Sequence, residues 1–192
     1  MIGILLAAGF SKRFGAANKL LQPISDGRML ALAAAENLIK AIPLSIAVLR
    51  PDNKILADAL QNAGLKIVFC SAHEQQMADS LAVAIRHSAS YPESADGFVI
   101  TLADMPYINP LTISAVAKDI ATGRTITVPT YHGQRGHPVG FAAKFRDELA
   151  KLKGDEGARS IIKRYADEVH LLECDDAGII TDIDTPDDLI SN

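Results

Sequence analysis

The chain has little of what would mark a thiolate metal site, a membrane span or a nucleic-acid surface. Its two cysteines, Cys70 and Cys174, form no C-x-x-C pair and have no histidine pair nearby, so buried free thiols are the reading rather than a metal site or a disulfide. Hydrophobic residues make up 48% of the sequence, yet no uncharged apolar stretch approaches the roughly eighteen residues that span a bilayer, and a soluble protein without a membrane partner is expected. The apolar run at the N-terminus has no basic segment ahead of it and one behind it, the reverse of a secretory signal, which makes the cytoplasm the expected location. A net charge of −4 with both signs interspersed leaves no long positive face for nucleic acid. No Ser-His-Asp or Cys-His arrangement stands at a recognisable spacing, and no repeat or low-complexity linker divides the 192 residues, so one domain over 1–192 is expected.

What is present alternates. Apolar, β-branched runs at Ile2–Ala8, Leu44–Leu49, Lys66–Phe69, Gly97–Leu102, Thr125–Pro129 and Val169–Glu173 are separated by helical patterns at Met29–Ala41, Asn53–Ala63, Met77–Ser88, Pro110–Thr122, Ala143–Lys151 and Ala158–Tyr165. That order predicts an α/β fold with three layers, a mostly parallel sheet covered on both faces. Asn109-Pro110 reads as a helix start, and Gly64 and Gly123 as stops. Tyr131–Phe141, with three glycines, Pro138 and two histidines, breaks the rhythm and reads as an irregular, ligand-contacting loop. Sites in open α/β sheets form beyond the carboxyl ends of the strands, where the loop at Gly9, Asp104 and the Cys70–Ser80 segment would meet.

The first strand opens into Gly9-Phe10-Ser11-Lys12-Arg13-Phe14-Gly15, with Lys19 four positions after the second glycine. Glycine lets backbone N–H groups approach phosphate oxygens, and Arg13 and Lys19 supply the charge that a triphosphate needs. The segment matches neither G-x-x-x-x-G-K-[S/T] nor G-x-G-x-x-G. Asp104 ends the strand before Met105-Pro106, where a carboxylate either holds a metal-bound phosphate or caps the turn. Asp182 and Asp184 precede Thr185-Pro186-Asp187-Asp188, itself a good helix entry with Thr185 as cap and Pro186 in the first position. Asp79-Ser80 begins a helix, and Gly154–Arg159 reads as a turn and helix start. A lone histidine such as His137 in a glycine-rich loop is most often solvated or structurally bonded; His132 and Arg135 carry less still.

Five separated segments, in order and together reaching from Ile4 to Leu189, give these residues a family resemblance. Leu6-Ala7-Ala8-Gly9-x-Ser11-x-Arg13-x-Gly15-x-x-x-Lys19 resembles the signature of the nucleotidyltransferases that act on sugar phosphates and on molybdenum cofactor. Leu102-Ala103-Asp104-Met105-Pro106 resembles their D-M-P metal motif, and Asp182-Ile183-Asp184-Thr185-Pro186-Asp187-Asp188-Leu189 their closing D-x-D-T-P-x-D-L pattern. Ala7-Ala8, Asp79-Ser80-Leu81 and Gly154-Asp155-Glu156-Gly157-Ala158-Arg159 are most similar to the molybdenum cofactor cytidylyltransferase branch, although a glycine frequent there is replaced by Ala78.

The resemblance implies a Rossmann-like nucleotidyltransferase fold and transfer of CMP from CTP to the phosphate of a molybdopterin-type acceptor with release of pyrophosphate. It implies Mg²⁺ held by Asp104 and Asp184, Arg13 on the β- and γ-phosphates, and Lys19 on the α-phosphate. Leu6, Ala7, Ala8, Gly9, Ser11, Asp79 and Ser80 would line the nucleotide, and Gly136, His137, Pro138 and Arg159 the acceptor. Transient contact with a molybdoenzyme or its chaperone would follow. A guanylyltransferase on the same cofactor, a sugar- or alcohol-phosphate nucleotidyltransferase and a catalytically silent nucleotide-binding module are the alternatives.

Overall fold

A computed structural model describes residues 1–9, 14, 18–71, 73–74, 76–154 and 157–189. Each of the six expected strands forms: β1 (Ile2–Leu6), β2 (Ser45–Leu49), β3 (Lys66–Phe69), β4 (Phe98–Leu102), β5 (Ile126–Tyr131) and, last in the chain, Val169–Glu173. The segment expected to be irregular supplies two more, β6 (Gln134–Arg135) and β7 (Val139–Phe141), which makes the final strand β8. All join one eight-stranded sheet in the order β3-β2-β1-β4-β7-β5-β6, with β8 alongside β5. The pairs β1–β2, β1–β4, β2–β3 and β5–β8 are parallel, while β7 runs antiparallel to both β4 and β5.

Burial explains the continuous apolar runs. Every residue of β2, and of β1 up to Leu5, is buried, because helices cover both faces of the central strands. On one face lie α1 (Leu30–Ala41), α2 (Lys54–Asn62) and α4 (Pro110–Ala121); they pack Leu38, Leu56, Leu60, Ile113 and Val116 against Leu5 and Val99. On the other lie α3 (Met77–Ser88), α5 (Arg146–Leu149) and α6 (Arg159–Arg164), packing Leu81, Ile85, Leu149 and Ile161 against Ile4 and Ile100. Strand neighbours thus alternate between two cores, as a pleat requires. Each fully buried leucine or isoleucine contributes about 1.5–3 kcal/mol. Among the described residues no helix is long and apolar enough to cross a membrane.

The helix ends follow their sequence signals. The Asn109 side chain accepts from the Leu111 N–H with Pro110 in the first position of α4, and Gly64 and Gly123 follow helices with φ of +107° and +105°, values that side chains rarely adopt. Gln76 and Asp79 form a capping box at the start of α3. The helix expected over Ala143–Lys151 is shorter: a 3-10 turn at Ala143–Phe145 leads into the single turn of α5, where the Arg146 guanidinium leaves the helix to donate to Ser94 Oγ at 2.7 Å. Thr185 stands at the entry to the closing turn, its carbonyl accepting from the Asp188 N–H at 3.2 Å. Its hydroxyl donates to Asp188, whose carboxylate also accepts the Asp184 and Thr185 N–H groups and so closes the 3-10 turn Pro186–Leu189 from inside.

Candidate active site

Strands β1, β3 and β4 are parallel, so the segments after Leu6, Phe69 and Leu102 emerge at one edge of the sheet. The backbone ties two of them together at once, as Ala103 N–H donates to the Leu6 carbonyl at 3.1 Å. Asp104 follows in the turn. Ile183 N–H donates to the Asp104 carbonyl at 2.9 Å and the Ile183 side chain is fully buried, which delivers Asp184 to the same edge from the far end of the chain.

Lys19 completes the group. It starts a 3-10 turn, Lys19–Leu21, capped by Asn18, whose side chain accepts from Leu20 N–H, and Leu20 is buried beside α1. The Lys19 ammonium is held 2.9 Å from Asp104 Oδ2 and 3.2 Å from Asp184 Oδ1, and the residue is only 7% exposed. Two carboxylates converging on one cation are the donor set a divalent ion takes when phosphate oxygens and water complete its shell. No cluster of three or more histidine, cysteine or acidic side chains forms among the described residues. Asp104 and Asp184 therefore fit Mg²⁺ or Mn²⁺ better than a metal that needs a full protein cage.

The segments expected around the nucleotide surround the same edge. Ala7 and Ala8 are buried in opposite cores, Leu6 reaches the cavity described below, and Gly9 is exposed with no described atom within 4 Å of where a Cβ would stand. Asp79 accepts from the Gln76 N–H, and the buried Ser80 hydroxyl donates to the Gln76 carbonyl at 3.2 Å. Cys70 lies 3.5 Å from Ser80 Oγ, and burial pushes its thiol pKa up, so it stays protonated. Both side chains of the Asp79-Ser80 pair are thus occupied within the helix entry, leaving backbone groups for any base. Ser11 and Arg13 lie outside the described residues.

A cavity of about 450 Å³ opens on the α3–α6 side of this edge. Its floor is apolar, including Leu81, Ile100, Val139, Phe141 and Ile162, and its rim carries Arg135, His137, Arg159 and Lys163. The loop at this rim is firmly placed. Gly136 N–H donates to the Pro129 carbonyl and His137 N–H to the Ile179 carbonyl, each at 2.9 Å, and the His137–Pro138 peptide is cis. A Cβ on Gly136 would stand 2.1 Å from the Ile179 oxygen, and one on Gly178 2.2 Å from the Tyr107 oxygen, so the loops touch with no room for a side chain. The His137 ring is only partly screened as a whole, but its Nδ1 is shut off from solvent with no partner among the described residues. Burial lowers the imidazole pKa against the opposing pull of Asp104, which keeps the ring neutral near pH 7.

The sequence thus named Lys19, Asp104 and Asp184, which come together, and Gly136, His137 and Arg159, which line the cavity. Pro138 is buried behind that wall. Arg135 and Lys163 are the rim residues that the sequence passed over; the signal for Arg135, a cation two positions before His137, gained meaning only once β6 placed it there.

Compared with known proteins, residues 3–169 match the pattern of the MobA-like NTP transferase domain. The chain is 29% identical to purine catabolism protein PucB of Bacillus subtilis (strain 168), over 98% of this chain and 93% of that protein. It is 28% identical to nicotine blue oxidoreductase of Paenarthrobacter nicotinovorans, over 95% and 91%. Among solved structures, Rv0371c from Mycobacterium tuberculosis H37Rv superposes with a TM-score of 0.85 at 29% identity, over 100% of this chain and 97% of that one. A manganese complex of Rv0371c aligns at 0.78 and 27% identity, over 99% and 96%.

Proposed function

Because the chain belongs to the MobA-like NTP transferase domain family, we propose that it transfers CMP from CTP to the phosphate of a molybdopterin-type acceptor and releases pyrophosphate. The observation that carries this reading is the buried Lys19 ammonium shared by Asp104 and Asp184 at the carboxyl edge of β1 and β4. An acceptor phosphate oxygen forms a bond to the α-phosphorus as the bond from that phosphorus to the β-phosphate oxygen breaks. No protein nucleophile is needed, and positioning with charge neutralisation does most of the work. Lys19 exchanges its carboxylates for α-phosphate oxygens and stays with them as charge develops, while Arg13 holds the β- and γ-phosphates. Asp104 and Asp184, once released by Lys19, hold Mg²⁺ or the Mn²⁺ seen with Rv0371c, which when bound neutralises charge on the phosphates.

Gly9 lets phosphate approach the backbone, and Ala7, Ala8, Asp79 and Ser80 offer small or backbone surfaces to a pyrimidine edge. Gly136, His137, Pro138 and Arg159 face the acceptor, with the neutral His137 ring as a hydrogen-bonding group. We read residues 1–192 as one such domain acting in the cytoplasm, with a molybdoenzyme or its chaperone as the recipient of product. Pyrophosphate release should be measured with each NTP and with molybdopterin cofactor or a sugar phosphate as acceptor. CTP with the cofactor should exceed GTP by several orders of magnitude in kcat/KM, the scale on which hydrogen-bonded sites discriminate. A preference for GTP would overturn the cytidylyl reading. No release with any pair would overturn transfer altogether and turn attention to redox turnover, the activity in the name of the 28% identical relative.

A further inference from the structure

Lys19 and the two carboxylates are already joined in the free protein. The ammonium stands 2.9 Å from Asp104 Oδ2 and 3.2 Å from Asp184 Oδ1, and its side chain is 8% exposed where those of Asp104 and Asp184 are 27% and 40% exposed. The cation thus lies deeper than the carboxylates it bridges. Its charge also helps to keep Asp188 ionised, four residues after Asp184. Carboxylates brought to one edge from β4 and from the closing turn repel one another, and the ammonium offsets that repulsion as a bound ion would.

This arrangement treats cations and anions differently. A divalent ion approaching the pair meets one net negative charge where the carboxylates alone would present two, with a like charge within 3.2 Å of an oxygen of each. At such separations the repulsion between cations is large, and in a half-buried site it is poorly screened. A polyphosphate meets a buried ammonium on a flexible stem. The backbone beneath that stem is fixed by the Asn18 cap and by the buried Leu20, so the exchange of carboxylates for phosphate oxygens needs only the side chain to turn.

We infer that Lys19 is an internal plug that sets the order of binding: a polyphosphate must draw the ammonium off before Asp104 and Asp184 take a divalent ion. The inference deepens the transfer reading and rests on it in taking the polyphosphate to be that of the nucleotide. The two ligands are then coupled, each tightening the other by the same factor, and the carboxylates do not capture an ion ahead of the substrate.

Two measurements on the whole protein test the plug. In calorimetric titrations with EDTA present, inorganic tripolyphosphate and CTP should both bind wild type without metal. In electron paramagnetic resonance with no polyphosphate present, Mn²⁺ should bind Lys19→Met at least about tenfold more tightly than wild type. Lys19→Arg, which keeps the charge, should bind Mn²⁺ as weakly as wild type, and so should Lys40→Met, which removes an exposed charge from α1. Adding Asp184→Asn to Lys19→Met should abolish the gain. Mn²⁺ bound by wild type as tightly as by Lys19→Met, an equal gain in Lys40→Met, or anions that bind wild type only when metal is present would overturn the plug. The last outcome is read without any variant. The two readings fail separately. Metal-free polyphosphate binding and the Lys19→Met gain without pyrophosphate release from any substrate pair would keep the plug and lose transfer. Pyrophosphate release by wild type with no gain in Lys19→Met would keep transfer and lose the plug.

Discussion

At Gly9, just past the end of β1, an added Cβ would find no described atom within 4 Å; at Gly136, just past β6, it would stand 2.1 Å from the Ile179 carbonyl oxygen. Both glycines sit in loops at the candidate active site, but the reasons for them are opposite. The protein fills the space beside Gly136 with its own backbone, whereas no described atom fills the space beside Gly9. Packing explains the first glycine, and the proposed approach of phosphate to the backbone is the reason offered for the second. The carboxylate group stands with Gly9 in this respect, because the Lys19 ammonium fills a place between Asp104 and Asp184 that phosphate and metal chemistry would also suit.

The comparison can be broken at four points. Gly136→Ala should cost about 3 kcal/mol, since the blocking atom is backbone and cannot swing aside. In calorimetry that is a fall of roughly 6–12 °C in Tm for a chain of this size. An unaltered Tm would mean the Ile179 segment yields freely. Lys19→Met should instead spare the fold's melting and cost about a hundredfold in kcat/KM, near 2.7 kcal/mol. The same variant should bind Mn²⁺ more tightly than wild type without nucleotide, read by electron paramagnetic resonance, because no ammonium competes for Asp104 and Asp184. Weaker Mn²⁺ binding would show that Lys19 does not stand where the ion goes.

Gly9→Ala should leave Tm nearly unchanged and raise the KM for nucleotide about tenfold, or 1.4 kcal/mol. If stability falls and KM does not, Gly9 belongs with Gly136 and the contrast fails. The smallest effect is expected at Asp188, partly exposed and held below the usual carboxylate range mainly by the Thr185 and Asp184 N–H groups. A carboxyl with a lowered folded pKa stabilises above its unfolded pKa and loses that contribution as pH falls through the folded value. Asp188→Asn should therefore melt slightly below wild type at pH 7, and the two should converge in acid. A gap that widens on acidification would assign the turn at Pro186 to another group.

Much of the fold was legible because the central strands and long helices each carry a repeating signal, an apolar run for the first and a buried stripe for the second. β6 and β7 carry none. They have two and three residues, and what makes them strands is pairing with β5 and β4, which local sequence does not encode. Gly140 illustrates the difficulty: it read as a loop glycine, whereas in the sheet it gives room to Val116 and Ile120 of α4, whose side chains would lie 2.8 Å from a Cβ. In the site, Lys19, Asp104 and Asp184 could be named from their motifs, but their convergence rests on contacts distant in sequence, among them the backbone bond between Ile183 and Asp104 and the burial of Leu20 and Ile183. Arg135 could not be singled out, because nothing near it in sequence distinguishes an arginine facing a cavity from one facing water.

That backbone bond orders events in time as well as in space. β8 ends at Glu173, so a chain growing on the ribosome has made all the sheet described here, and the apolar floor built on it, before Asp184 has been added. In order of synthesis the second carboxylate is the late arrival, and it comes with the residues that seat it: Ile179, which holds the loop at His137, and Ile183, which bonds Asp104, are added in the same final stretch. A domain folds as a unit, so the last residues made complete the core and the charged pair together.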